Sequence, residues 1–595
     1  MPDIIIKNTE SSFEYSPGKN LLEILVENNI FIDNPCNGKG SCGKCKVKIL
    51  DGEISKPSET ELKFLNENEL SEGIRLSCLI NPTSNITVET LQVERKHKIL
   101  TTGYTPKFEF SPSITKKVFE IETPSLQNQT PFEDSIVNAL SLDSIDISVL
   151  ENTPPFYGKA TGVFSNNTLI AIENQDTSDL IYGVAIDIGT TTVVASLVNM
   201  INGKEIASAS IINPQKKFGL DVLTRITYAL DNPETSTKNL QYEIVNGINE
   251  MILEICSKSG VNKSNIYEIS IAANCTMLHF LLGVDSSSIG RSPFAPAFVK
   301  SKNVPASSIG INVNSTCRLY CLPSVSAYIG ADIVAGAYVC ELHKAEDNVL
   351  FIDIGTNGEI VLSNKGRLLS CSCAAGPALE GMNISCGMRA ADGAIEDVEI
   401  LEDEVSVKII GDQPPVGICG SGILAVIREL LKTGIVKKDG SFIKKDTIPE
   451  DDYRQKYIQL NGRKREFILS ESPEPLYITQ SDVRQVQLAK GAILSGFYAL
   501  LNKSGLSMDQ LDKVVIAGQF GSHLPAESLT GTGILPSEVN DKLVYVGNSS
   551  KTGAYMALMS KDVKSELEEI AHNIDYMELG ASEGYEKLFA SCLMF

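Results

Sequence analysis

The sequence predicts a multidomain α+β chain: a small mixed sheet at the N-terminus, a short α+β module, and a large α/β unit of two lobes. Three observations carry this. Cysteines gather in one glycine-rich loop, "NPCNGKGSCGKCKVKIL" from Asn34, flanked by strand-like runs. A strand–turn–strand pattern, "GVAIDIGTTTVVASLV" from Gly183, returns as "VLFIDIGTNGEIVLS" from Val349. Between loop and repeat the chain turns mixed and aperiodic. A length of 595 residues suits three or four domains. A formal charge of −22 offers no dominant basic surface, which argues against a nucleic-acid partner.

The first residues, "MPDIIIKNTE", lack the charged and apolar regions of a signal peptide. The most apolar stretches, Val184–Met200 and Val325–Cys340, are interrupted by Asp187 and Asp332. Neither supplies the ~20 apolar residues a membrane helix needs. The expectation is a soluble, cytoplasmic protein with no membrane partner, whose 14 cysteines are thiols or metal ligands rather than disulfides.

Spacing assigns the cysteine loop. Five residues separate Cys36 from Cys42, two separate Cys42 from Cys45, and Cys78 follows in "IRLSCLI". Three thiolates in one loop and a distant fourth suit a 2Fe–2S cluster. Zinc would call for two close pairs, and only one is present. Gly38, Gly40 and Gly43 let the backbone wrap the sulfurs and aim N–H groups at them. "DIIIKN", "KCKVKIL" and "NITVETLQV" read as strands, and "NLLEILVENN" as a short amphipathic helix. That order, with the five-residue gap, resembles the β-grasp fold of adrenodoxin-like ferredoxins. Lys39, Lys44, Lys46 and Lys48 surround the loop, either steering an acidic donor or forming a solvated face. The other ten cysteines, Cys371 and Cys373 among them, lack ligand spacing and read mostly as core thiols.

The division by sequence is 1–92 for the ferredoxin-like domain, 93–110 for a flexible linker and 111–180 for the middle domain. In the middle domain, strands are expected at Lys116–Ile121, Asp146–Leu150 and Thr168–Glu173, with a helix at Phe132–Leu140. The first lobe then spans 181–345 and the second 346–595.

Each repeat runs a β-branched strand through a tight turn into a second strand. Two copies opening two halves point to a clamp around a nucleotide. Gly189 and Gly355 permit close backbone approach. The N–H groups of Gly189–Thr192 and of Gly355, Thr356, Asn357 and Gly358 can cradle phosphates, helped by the hydroxyls of Thr190, Thr191, Thr192 and Thr356. Asp187 and Asp353 suit a magnesium ion held through water, or an attacking water, and are the candidate catalytic pair. This pair of motifs resembles the phosphate hairpins of the actin/Hsp70/sugar-kinase superfamily, which is ribonuclease H-like. The resemblance implies ATP, and a glycine-rich adenosine turn, matched by "VVIAGQFGSH" with Gly518 and Gly521. "GICGSGIL", with Gly420 opening a helix, and "VYVGNSSKTGA" are further glycine turns.

The combination resembles the reductive activators of corrinoid proteins, over nearly the whole chain. The stretches that carry it are "INPQKKFGLDVLTRI", "ANCTMLHFLLG", "CSCAAGPALEG", "GMRAADGAI", "GICGSGIL" and "VRQVQLAKGAI". Two residues depart from the pattern: Cys275 where a small hydroxyl residue is expected, and Gln519 where a smaller one is usual. The resemblance implies ATP-dependent reduction of an inactive Co(II) corrinoid protein to Co(I), one electron at a time from the cluster. It further implies a reduced electron-donor protein as partner. A homodimer is compatible with it, though no sequence feature shows one.

"CSCAAGPALEGMNISCGMRAADG" could accept the corrin ring, with Ser372 as an oxygen ligand of Co(II). Alternatively it closes the nucleotide cleft, with Gly376 near the phosphates. His279, on the apolar helix "TMLHFLLG", is a cobalt ligand on one reading and a satisfied core residue on the other. Three other functions fit parts of the chain: an electron donor of the dehydratase-activator type, a redox-sensing nucleotide-binding module, and a sugar kinase. The last would have no use for a cluster.

Overall fold

The repeat in the sequence is a repeat of sheet topology. In the computed structural model, strands Tyr182–Ile188, Thr192–Asn199 and Glu205–Ile212 form an antiparallel meander, and Tyr182–Ile188 pairs in parallel with Ile266–Ala273, which pairs in parallel with Arg318–Cys321. Strands Asn348–Ile354, Gly358–Asn364 and Arg367–Cys373 repeat the meander, followed by Lys513–Ala517 and Leu543–Gly547 in parallel. Each sheet gains a sixth strand at one edge, Lys302–Pro305 in the first and Asp575–Tyr576 in the second. The structure describes every residue except 1, 9–10, 16–17, 29, 31, 33–37, 39, 41–42, 92–102, 403, 462–463, 472–474 and 519–523, and the side chains of 461 and 464.

Both faces of the sheets are covered, as continuous apolar strands require. In Asn348–Ile354 the period of two sends Leu350, Ile352 and Ile354 into one core and Val349 and Phe351 into the other. The second of these cores is shared with the first sheet. Helices Ala331–Val339 and Ser549–Met559 fill it, and Ser549–Met559 packs on Tyr182–Ile188 although it directly follows strand Leu543–Gly547 of the second sheet. Small residues allow the approach: a Cβ on Gly553 would stand 2.5 Å from that of Ala335. Sequence order therefore does not partition the core cleanly into lobes.

The N-terminal sheet runs Ser11–Glu14, Asp3–Ile6, Ile86–Thr90, Lys46–Asp51, Ile74–Leu76, with its two central strands, Asp3–Ile6 and Ile86–Thr90, parallel. This is the expected β-grasp. Helix Leu21–Glu27 begins at a capping box in which Asn20 and Glu23 satisfy each other's backbone N–H. It buries Leu21, Leu22, Ile24 and Leu25.

The middle module is a three-stranded antiparallel sheet, Ile114–Ile121, Gly158–Ser165 and Thr168–Asn174, with helix Phe132–Leu140. Two expectations change here. The strand expected at Asp146–Leu150 is a helix, Ile147–Glu151, because Asp146 Oδ1 caps it by accepting from Ser148 N–H at 2.9 Å. The central strand Gly158–Ser165, not among the expected strands, pairs with both neighbours.

The described part of the linker, from 103 on, is strapped down. Tyr104 N–H donates to Val546 O at 2.9 Å, Ser111 N–H to Met559 O at 3.0 Å, and Phe108 stacks edge-on against Tyr555. Residues 93–102 lie outside the described residues. Among the described residues no helix is long and apolar enough to cross a membrane.

Candidate functional site

The two hairpin turns open into one cleft. Its walls include Asp187, Gly189, Thr190, Thr191 and Thr192 from the first sheet, and Asp353, Gly355, Thr356 and Asn357 from the second, with Gly518 beside them. Ten of the sequence-chosen residues thus come together. Gly358 instead sits buried inside a strand, pairing with Cys373. Gly420 is buried at the start of helix Gly420–Lys432, whose Gly422 packs against the carbonyl of Ile395; that turn serves packing and is not on the cleft wall. Gly376 has φ +76°, an added Cβ there would meet nothing within 4 Å, and it is not among the wall residues. Gly521 and Gln519 lie outside the described residues.

The first turn is braced from below. Gly189 N–H donates to Thr192 O at 2.8 Å, which closes the turn, and Asn213 Nδ2 donates to Gly189 O at 2.9 Å. Buried Arg225 donates to Thr190 O at 2.6 Å, and Asn274 Nδ2 to Thr190 Oγ1 at 3.1 Å. The second turn closes through Gly355 N–H to Asn357 O at 2.8 Å. Gly518 must be glycine: φ is +81°, and a Cβ would meet Asp353 Oδ1 at 2.3 Å.

Carboxylates dominate the electrostatics. Besides Asp187 and Asp353, the cleft holds Asp332, Glu359 and Glu380, none of them singled out in the sequence, although Glu359 lies in the second repeat and Glu380 in "CSCAAGPALEG". Asp332 reads in the sequence only as a charge interrupting an apolar run. Burial, and then the neighbouring Asp353 and Asp187, push Asp332 up to about 7. Burial and then Asp187 push Asp353 up to about 7. Burial, Asp332 and Asp353 hold Glu359 well above the usual carboxylate range. Burial also raises Asp187, opposed by hydrogen bonds from Ser550 Oγ at 2.7 Å and Asn548 Nδ2 at 2.9 Å. A cleft whose acids raise one another is short of positive charge, which is the donor chemistry a hydrated divalent cation fits. The sign of that crowding could not be read from sequence, since Asp332 and Glu359 arrive from separate elements.

Glu380 joins the turns. Its Oε2 accepts from Thr191 Oγ1 at 3.2 Å and its Oε1 from Thr356 Oγ1 at 2.5 Å. Ser372, offered as a cobalt ligand, sits across from Glu359, with Oγ 3.5 Å from Glu359 Oε1. His279 is fully buried and satisfied: its Nδ1 donates to Cys275 O at 2.7 Å, its Nε2 accepts from Ala297 N–H at 3.1 Å, and its ring stacks on Phe298. This is the core reading. Cys371 and Cys373 are likewise fully buried, against Gly496.

In the N-terminal domain the thiols of Cys45 and Cys78 meet at 3.3 Å, both buried. One comes from the start of strand Lys46–Asp51, the other from the short turn Ser77–Leu79. Two soft donors at this separation lie within reach of one metal ion. Gly38, Gly40 and Gly43 all have positive φ, as a loop wrapping a cluster requires. The described half of the ligand set thus fits a cluster. Cys36, Cys42 and Lys39 lie outside the described residues. Lys46 pairs with Glu69 at 2.5 Å, and Lys44 points into the second lobe.

Three family profiles match the chain in series: a 2Fe–2S iron–sulfur cluster binding domain over residues 4–83, the RACo middle region over 182–345, and the C-terminal ASKHA domain of RACo over 347–595. A solved structure titled reductive activator for corrinoid, iron-sulfur protein superposes with a TM-score of 0.72 at 31% identity, covering 100% of this chain and 98% of the other. The corrinoid activation enzyme RamQ of Eubacterium limosum is 29% identical over 94% of this chain and 93% of its own length. The [Co(II) methylated amine-specific corrinoid protein] reductase of Methanosarcina barkeri is 26% identical, over 69% of this chain and 76% of that protein.

Proposed function

This chain belongs to the family of reductive activators of corrinoid proteins, and on that premise we propose the division of labour among its residues. The protein is an enzyme that reduces an inactive Co(II) corrinoid protein to Co(I) with the help of ATP. The observation that carries the reading is the coexistence, in one chain, of the Cys45–Cys78 thiol pair and a cleft where two duplicated turns face each other.

A 2Fe–2S cluster held by Cys36, Cys42, Cys45 and Cys78 supplies single electrons. The β-grasp buries the thiols of Cys45 and Cys78. In the cleft, the amides between the closing bonds of the two turns, at Thr190, Thr191 and Thr356, and the threonine hydroxyls bind the phosphates, while the amides of Gly189 and Gly355 hold the turns closed. Asp187 and Asp353 would hold a hydrated magnesium ion, which would offset phosphate charge, and their carboxylates are placed to orient an attacking water. Asn548 and Ser550 keep the Asp187 carboxylate aimed. Gly518 lets the backbone pass close to Asp353 where the adenosine is expected.

Reduction to Co(I) is uphill for ordinary donors, and each ~59 mV costs about 1.4 kcal/mol for one electron. Nucleotide binding or hydrolysis can offset this without altering the cluster's potential, by changing which corrinoid state the activator prefers. An equilibrium moves by the differential affinity of its partner for the two states. A reduced electron-donor protein refills the cluster, in the cytoplasm, and a homodimer is the assembly we would look for first.

The test is a visible spectrum of a Co(II) corrinoid protein mixed anaerobically with this protein, a reductant and Mg-ATP. A Co(I) band should grow only with ATP and be lost in Cys45→Ser and in Asp353→Ala. ATP-independent growth, or none with several corrinoid proteins, would reject the reading.

A further inference from the structure

Glu380 binds the hydroxyls of both phosphate-cradling turns, yet belongs to neither turn. Its two oxygens accept from Thr191 at 3.2 Å and from Thr356 at 2.5 Å, so a single carboxylate ties the turns across the cleft. An anion accepting from two threonine hydroxyls occupies the place of a phosphate oxygen. Glu380 and a terminal phosphate cannot hold the same donors at once, because like charges at contact repel.

The segment that follows Glu380 has no slack. Gly381 has φ +82°, and a Cβ there would meet Met388 O at 2.3 Å; a Cβ on Gly387 would meet Gly381 O at 2.1 Å. Met382 N–H donates to Pro377 O at 3.1 Å, Gly387 N–H to Ile384 O at 3.1 Å, and Ile384 is fully buried. Residues 377–388 therefore form a closed knot. Ser385 N–H anchors it by donating to Asp482 Oδ1 at 2.8 Å at the start of helix Gln480–Ser504.

The far side of the knot grips the cluster domain. The carbonyls of Ile384 and Ser385 accept from Lys44 Nζ at 2.7 and 3.1 Å. Lys44 lies between Cys42 and Cys45, inside the cysteine loop. A displacement of Glu380 is thus passed through a tight knot to the carbonyls that dock that loop on the second lobe.

We propose that Glu380 is a positioning residue that reports the terminal phosphate of the nucleotide to the cluster domain. The phosphate takes over the hydroxyls of Thr191 and Thr356, Glu380 leaves them, and Lys44 loses its pair of carbonyls. The cluster loop is then released from the second lobe and becomes free to approach another protein. This rests on reading the cleft as a nucleotide site. A diphosphate lacks the competing group and leaves the tie closed.

The experiment is pulsed acetylation of lysine amines in the full-length, cluster-loaded protein, read by mass spectrometry with exposed Lys56 as the internal reference. Labelling is compared without nucleotide, with Mg-ADP and with a non-hydrolysable Mg-ATP analogue, while nucleotide binding is measured in parallel. Lys44 labelling should rise several-fold only with the triphosphate. In Glu380→Ala and in Thr356→Val it should already be high without nucleotide. If Lys44 ignores a triphosphate that is shown to be bound, or if both variants stay at the nucleotide-free wild-type level, the proposal is wrong while the nucleotide site stands. If no nucleotide binds at all, the nucleotide site fails and the proposal falls with it.

Discussion

Ser550 donates a 2.7 Å hydrogen bond to Asp187, tying the start of a C-terminal helix to the first of the two duplicated turns. The two residues are 363 positions apart in sequence. The bond aims the carboxylate into the cleft and lowers its tendency to protonate.

Removing it should therefore cost catalysis more than binding. A hydrogen bond to a charged group contributes about 1.5–3 kcal/mol, so Ser550→Ala should lower the ATPase kcat roughly 10- to 100-fold with the ATP KM nearly unchanged. Steady-state ATPase assays check this. A rise in KM with unchanged kcat would mean that Ser550 serves binding alone.

Gly518→Ala should abolish ATPase activity while leaving the fold intact. The added methyl would stand 2.3 Å from Asp353 Oδ1 at a φ that side chains rarely adopt, so Asp353 must move. Circular dichroism should match wild type while turnover falls at least as far as in Ser550→Ala. Wild-type turnover would show that the Asp353 position is not needed.

The crowded acids set a pH dependence. Asp353 is raised to about 7 in the fold, against an unfolded value near ~3.9. A carboxyl raised on folding adds nothing unfavourable below its unfolded value, and its relative stabilisation is lost as pH rises through the folded one. In EDTA, the stability gained by Asp353→Asn should grow from pH 5 to pH 8. Saturating Mg-nucleotide should cancel or reverse that gain, because the cation then neutralises the charge. Thermal melts of both proteins at several pH values test this, and a pH-independent difference would refute the crowding.

Within the ferredoxin-like domain, Arg75 and Glu61 form a buried two-pronged ion pair, Nε to Oε1 at 2.9 Å and Nη2 to Oε2 at 2.8 Å. Breaking a buried pair from one side strands a charge and costs about 3–5 kcal/mol. Arg75→Ala should shift the urea transition followed by cluster absorbance to markedly lower concentration, leaving the nucleotide cleft unaffected. An unchanged transition would mean that the site relaxes and admits water.

The legible parts were those where one local stretch carries the whole signal. Asp187 and Asp353 each sit in a strand, a glycine turn and a second strand, so period and turn chemistry placed both turns, and the duplication placed them opposite each other. Cysteine spacing likewise announced a cluster, since three of the four candidate ligands share one loop. Helix Ile147–Glu151 was misread because its apolar residues fit a strand equally well, and one side-chain cap at Asp146 decided the matter. "GICGSGIL" looked like an anion-binding turn, since a glycine needed for close packing, as Gly422 is against Ile395 O, and one needed for close ligand approach are the same residue in a sequence.

By itself, then, the sequence determined the three kinds of module, the presence of a cluster-binding domain and the two turns of the cleft. Only the tertiary structure decided that Asp332 and Glu380 join those turns, that Asn548 and Ser550 hold Asp187, and that Lys44 meets Ile384 and Ser385. The reason is physical. Local hydrogen bonding and periodicity are written along the chain, whereas charge crowding and side-chain bridges depend on distances between elements that approach only when their apolar faces are buried together.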